Sequence, residues 1–89
     1  PLPRGDARSA LWRSRASKGR IACNPEHHDY PALVAEAMDH IAASGWELQE
    51  PAVRLEVTAS QLLKLLKDHP PAVVKLNAER KALGLHPLK

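Results

Sequence analysis

From residue 31 onward, apolar positions recur at helical spacing and polar positions fill the gaps between them. Leu33, Ala37 and Ile41 fall four apart beside Val34, Met38 and Ala42, while Glu36, Asp39 and His40 lie on other faces. This predicts an amphipathic helix over 31–44, capped by Asp29 or Tyr30 and opened by Pro31, whose missing N–H has no helical partner in the first turn anyway. Gly45 suits the left-handed residue that closes such a helix, with Trp46 placed for the hydrophobic contact after it. A shorter helix is predicted over 50–55, with Pro51 near its start. Thr58-Ala59-Ser60-Gln61 fits a capping box, in which the Thr hydroxyl takes the Gln N–H and the Gln side chain reaches back. The helix it opens, over 59–68, carries Leu62, Leu63, Leu65 and Leu66 and stops at His69-Pro70-Pro71. A fourth helix is predicted over 71–83, with Val73, Leu76 and Leu83 on one face and Val74 and Ala78 beside it. Gly84 ends it and Leu85 folds back.

The remaining chain has no such period. Residues 1–20 mix Pro, Gly, Ser and Arg, and Leu11 and Trp12 stand too isolated to anchor a core, so a flexible basic arm is expected. Residues 21–30 read as a lead-in loop with a turn at Asn24-Pro25. β-branched residues are sparse and never run together, so no strand is expected, and two or more paired strands would overturn the all-α reading. The expectation is an all-α fold: a small bundle of three to four helices over 31–89, behind the arm and loop.

At 89 residues the chain holds one core. Apolar residues are 44% of it but aromatics only 3%, so that core is expected to be aliphatic, built from Leu and Ala. Cys23 has no second cysteine to pair with, and no run fits a secretion signal or a membrane span of roughly 20 apolar residues, which suits a cytoplasmic protein. The opening Pro1 in place of Met is compatible with a piece of a longer protein.

Charge changes the picture when it is placed along the chain. Residues 1–20 carry a net +5, residues 21–56 a net −6 and residues 57–89 a net +4. A polyanion would meet the two ends.

The stretch Ala52-Val53-Arg54-Leu55-Glu56-Val57-Thr58-Ala59-Ser60-Gln61-Leu62-Leu63-Lys64-Leu65-Leu66 joins two short helices by a tight turn and resembles a helix-turn-helix over residues 46–69. Ala52 would allow close helix approach, Leu55 and Val57 would fill the hinge, and Ser60, Gln61 and Lys64 would face outward. Such proteins usually have Gly in the turn; Glu56 stands there instead, which predicts a looser turn and an acidic group near the working face. The resemblance implies that the second helix enters the major groove and reads base edges. By position that role falls to Thr58, Ser60, Gln61 and Lys64, with Lys67 further along, and Gln can pair bidentately with adenine. Arg13, Arg15, Lys18 and Arg20 of the arm would then add phosphate contacts.

A second resemblance covers Val57 to Lys89, through Ser60-Gln61-Leu62-Leu63-Lys64-Leu65-Leu66 and the closing residues from Asn77. It is similar to the end of bacterial proteins related to peptide-chain release factors, which implies ribosomal RNA as partner. The Gly-Gly-Gln motif that releases peptide in that family is absent, so this would be an accessory domain.

Other classes find less in the sequence. Cys23, His27, His28 and Asp29 are donors zinc accepts, but their spacing fits no common structural site and adjacent His residues point apart unless the loop bends, so no metal is expected. His40, His69 and His86 read as surface histidines. No Gly-rich phosphate loop, nucleophile motif or carboxylate pair is present, so neither catalysis nor a cofactor is expected. The competing class is protein interaction or self-association through the 31–44 helix or the leucine-rich third helix, with Leu63 exposed. Salt separates the two: nucleic-acid binding weakens steeply with ionic strength, and a leucine interface does not.

Overall fold

The computed structural model describes residues 8–88. In chain order the elements are α1 (Ala10–Arg15), β1 (Ala16–Ser17), β2 (Arg20–Ile21), α2 (Tyr30–Ala43), α3 (Gln49–Leu55), α4 (Ala59–Lys67) and α5 (Pro70–Ala82). The fold is mainly helical, and the four helices expected from periodicity and capping lie within one residue of their expected ends.

The beginning of the chain departs from expectation. Residues 1–7 of the expected arm lie outside the described residues, but residues 10–21 form a helix and a hairpin packed on the bundle. Ser9 caps α1, its hydroxyl accepting the Trp12 N–H at 3.0 Å, and its backbone N–H donates to the Glu36 carboxylate on α2 at 2.8 Å. Trp12 is fully buried among the core leucines, and its indole Nε1–H donates to the Leu55 carbonyl at 2.9 Å. That carbonyl is among those a helix leaves unpaired at its C-terminus, so the tryptophan both fills the core and completes α3.

The hairpin overturns the expectation of no strand. Ala16 pairs with Ile21 and Ser17 with Arg20 in antiparallel register. Lys18 (φ 54°) and Gly19 (φ 81°) form the two-residue turn, both with positive φ, the geometry whose twist matches that of paired strands. Only Gly takes this conformation freely, and Gly19 supplies one of the two positions.

Leucine and alanine supply most of the rest of the core, with Leu33, Ile41, Leu55, Leu62, Leu66 and Leu76 fully buried, but Tyr30 joins Trp12 in it, so the core is not purely aliphatic as expected. Two assignments of face change. His40 is buried, not on the surface, because α3, α4 and α5 all pack against α2. Leu83 is exposed where an inward face was expected; Ala72, Leu76 and Arg80 are the residues that α5 buries. The Arg80 side chain donates to the carbonyls of His86 (2.7 Å) and Trp46 (2.8 Å), tying the chain after α5 to the loop after α2.

The α3–α4 connection is tight. Glu56 takes the left-handed conformation (φ 57°, ψ 42°), its N–H bonds the Val53 carbonyl at 3.1 Å, and the Val57 N–H bonds the Ala52 carbonyl at 3.0 Å. This is the paired closure usually made with glycine, so the expected looser turn is not what the chain adopts.

Candidate nucleic-acid interface

α4 is amphipathic because Leu62, Leu65 and Leu66 turn into the core. Gln61, Lys64 and Asp68 stand three and four apart and therefore share one stripe along its outside. Thr58 caps the helix, accepting the Gln61 N–H at 3.1 Å. The other half of the expected capping box is made differently: the Thr58 N–H donates to the Gly19 carbonyl at 2.9 Å. The hairpin turn thus docks on the start of α4 in the place expected for the Gln61 side chain.

This contact positions the rest. With Gly19 held against Thr58, residues 20–24 run alongside the outer stripe of α4 and enclose a groove of about 450 Å³. Its lining carries Arg20, Ile21 and Asn24 from the segment that follows the hairpin turn, and Gln61, Lys64, Leu65 and Asp68 from α4 and its C-terminal end. Arg20, Gln61 and Lys64, expected from separate segments of the sequence, come together here. Lys18 is exposed at the hairpin tip. Lys18, Arg20, Lys64 and Lys67 make no ion pair with any described residue.

Other expected contacts lie elsewhere. Ser60 lines a separate depression with Leu63, Glu47 and Arg80, away from Gln61. The Thr58 hydroxyl is engaged in its cap, and Lys67 is exposed but outside the groove lining. Arg13 is exposed on α1. Arg15 is only partly exposed and pairs with Asp29 at 2.9 Å, so its charge is spent on the fold rather than offered to a phosphate. Asn24 and Asp68 are lining residues that sequence reasoning missed. Asp68 was legible as the seventh residue after Gln61 on the same helix face, whereas Asn24 had no signal beyond its turn.

Around Asp29 the loop bends as sequence reasoning did not expect. His27 and His28 stack at 4.3 Å between ring centroids, and their nitrogens and an Asp29 oxygen lie within 4.8 Å of one another. The Arg15 guanidinium already sits where a cation would, against Asp29 and 3.3 Å from His27 Nε2. Its hydrogen bond holds the Asp29 carboxyl below the usual carboxylate range against the opposing effect of burial, with the two imidazoles adding to it. Cys23 is not part of this cluster. At the start of α2, burial, then the nearby Asp68 and Cys23, push the Tyr30 hydroxyl above its ordinary value, and it donates to the Leu65 carbonyl at 2.6 Å.

No protein-family model, curated protein or solved structure matches this chain. No helix among the described residues is long and apolar enough to cross a membrane.

Proposed function

We propose that this chain is a nucleic-acid-binding module whose contacts run from the hairpin tip along α4. The observation that carries this reading is the convergence of Arg20 with Gln61 and Lys64 on one open groove, flanked by Lys18 and Lys67. In this reading α3 and α4 act as a helix-turn-helix, with Gln61 directed at bases and the four cations at phosphates. Cations held on two rigid elements, with no acidic partner within ion-pair distance, are favourable for phosphate because no internal bond is broken on binding.

Fluorescence anisotropy with a labelled DNA duplex and a labelled ribosomal RNA hairpin tests it. Four phosphate contacts on a duplex predict a slope of about −3.6 for log affinity against log salt. Lys64→Ala should reduce that slope by about 1 and weaken all sequences alike, while Gln61→Ala should act at one base position. Affinity for either probe that does not change with salt, or no binding at low salt, would overturn the proposal.

A further inference from the structure

The groove beside α4 holds charges of both signs, and none of them is in direct ion-pair contact with another. Asp68 ends the stripe begun by Gln61, about 10 Å along the helix axis, and Lys64 lies between them. Asp68, Arg20 and Lys64 form no ion pair with each other or with any other described residue. A carboxylate within a phosphate-binding groove repels its ligand unless the ligand also offers hydrogens to it, because an ionised carboxylate can only accept. The groove therefore suits a ligand with an anionic group at one end and N–H donors at the other.

A nucleotide meets that description, and the dimensions favour a single one. A volume of about 450 Å³ lies in the range of small-molecule sites and has room for one unstacked base, with Ile21 and Leu65 the large apolar residues in its lining. The bases differ in what they offer a carboxylate. Guanine has two adjacent donors, the ring N1–H and the 2-amino group, which both oxygens accept in parallel. Adenine and cytosine place a ring acceptor beside their amino group, and uracil and thymine flank their one donor with carbonyls, so each sets a lone pair against the second oxygen. The amides of Asn24 and Gln61, in the same lining, are donors suited to the guanine carbonyl.

We propose that this groove is a pocket for an unstacked guanine nucleotide, with Asp68 accepting from the base edge and Arg20 and Lys64 meeting the phosphate. The inference rests on the nucleic-acid reading of the groove, not on its helix-turn-helix docking mode, and narrows it to a base and to a single-stranded or free nucleotide.

The test uses the full chain and three labelled strands: oligouridylate, the same strand with one central guanosine, and the same strand with inosine, which keeps the N1–H and lacks the 2-amino group. The guanosine strand should bind about tenfold more tightly than oligouridylate, with inosine between them. Asp68→Asn should remove most of that preference, leave oligouridylate binding unweakened and leave the melting temperature within a few degrees of the parent. Lys64→Ala should weaken all three strands by similar factors. Displacement of the guanosine strand by guanosine monophosphate, and not by uridine monophosphate, would place the free nucleotide among the ligands; displacement only by strands would assign the pocket to nucleic acid. Equal binding of the guanosine and uridine strands, or a preference that survives Asp68→Asn, overturns the guanine pocket and leaves the cationic groove standing. Failure of every strand and of the duplex to bind overturns both readings.

Discussion

Glu56 does the work of a glycine without being one. Its backbone lies in the left-handed region, where an L-residue meets its own carbonyl at a cost of about 1 to 2 kcal/mol. The return is a closed turn in which Leu55 and Val57, on either side, are both buried. The Glu56 side chain pairs with Arg8 at 2.9 Å, but it is 62% exposed, and ion pairs at such positions contribute at most about 1 kcal/mol. Glu56→Gly should therefore stabilise the protein by about 0.5 to 1 kcal/mol, the relief of strain exceeding the lost pair and the extra freedom of glycine in the unfolded chain. A thermal melt should show a rise of several degrees, while Glu56→Ala, which keeps the strain and loses the pair, should show none. A melting temperature unchanged by glycine would mean that the turn is not strained at this residue. Sequence reasoning inferred a looser turn from the missing glycine. The inference failed because residue type reports how willingly a position turns left-handed, whereas the packing of α3 on α4 decides whether it must.

At the scale of elements, the three long helices and the short α3 between them were legible, and the first three short elements were not. α2, α4 and α5 span two turns or more, enough for apolar spacing to repeat, and each has a boundary marked by Pro, Gly or Thr58. A six-residue helix and two-residue strands are too short to show a period. Their signals were local: Ser9 in capping position, and Lys18-Gly19 as a two-residue turn. Trp12 has few apolar neighbours in sequence to mark it as core, but a tryptophan brings its own buried area and finds its neighbours in space. Trp12→Ala should cost about 3 to 5 kcal/mol by chemical denaturation, a large share of the stability of a small domain. Removal of residues 1–20 is then a folding experiment as well as a binding one. It takes away Trp12, the donor to the Leu55 carbonyl and the strand partner of β2, so the truncated chain should lose its cooperative thermal transition. If it melted like the full chain, the packed start of the fold would be wrong. Contributions of the hairpin to binding are better read from Lys18→Ala and Arg20→Ala, which leave the core intact.

Across the whole molecule, the division into basic ends and an acidic middle has one purpose in the fold and, under the proposed function, a second in binding. Part of it holds the fold together: Arg8 pairs with Glu56, Arg15 with Asp29, and Arg80 lies 3.6 Å from Glu47. In each pair an end of the chain is tied to its middle, whereas Lys18, Arg20, Lys64 and Lys67 pair with no described residue and are the cations that the proposed function directs at phosphate. The two purposes separate with pH. Asp29 has its folded pKa lowered by Arg15, so its contribution is fully present above the ordinary carboxylate value near 4 and is lost as pH falls through the folded value. Tyr30 has its folded pKa raised, so the neutral hydroxyl's contribution is fully present below about 10 and is lost as pH rises toward the folded value. Stability from these two groups should be flat between those limits and fall outside them. Asp29→Asn should flatten the acid limb, because an amide neither titrates nor carries the charge that Arg15 meets, and it should lower the neutral-pH plateau. Tyr30→Phe should flatten the alkaline limb while lowering stability at all pH values below it by about 1 kcal/mol for the lost bond to Leu65. Both are read from melting temperature against pH. Nucleic-acid affinity should not follow Asp29 within the range where the fold is intact, since neither Asp29 nor Arg15 lines the groove. An Asp29→Asn variant that remained folded at pH 7 but bound nucleic acid more tightly would show that Arg15, once released, is itself a phosphate contact.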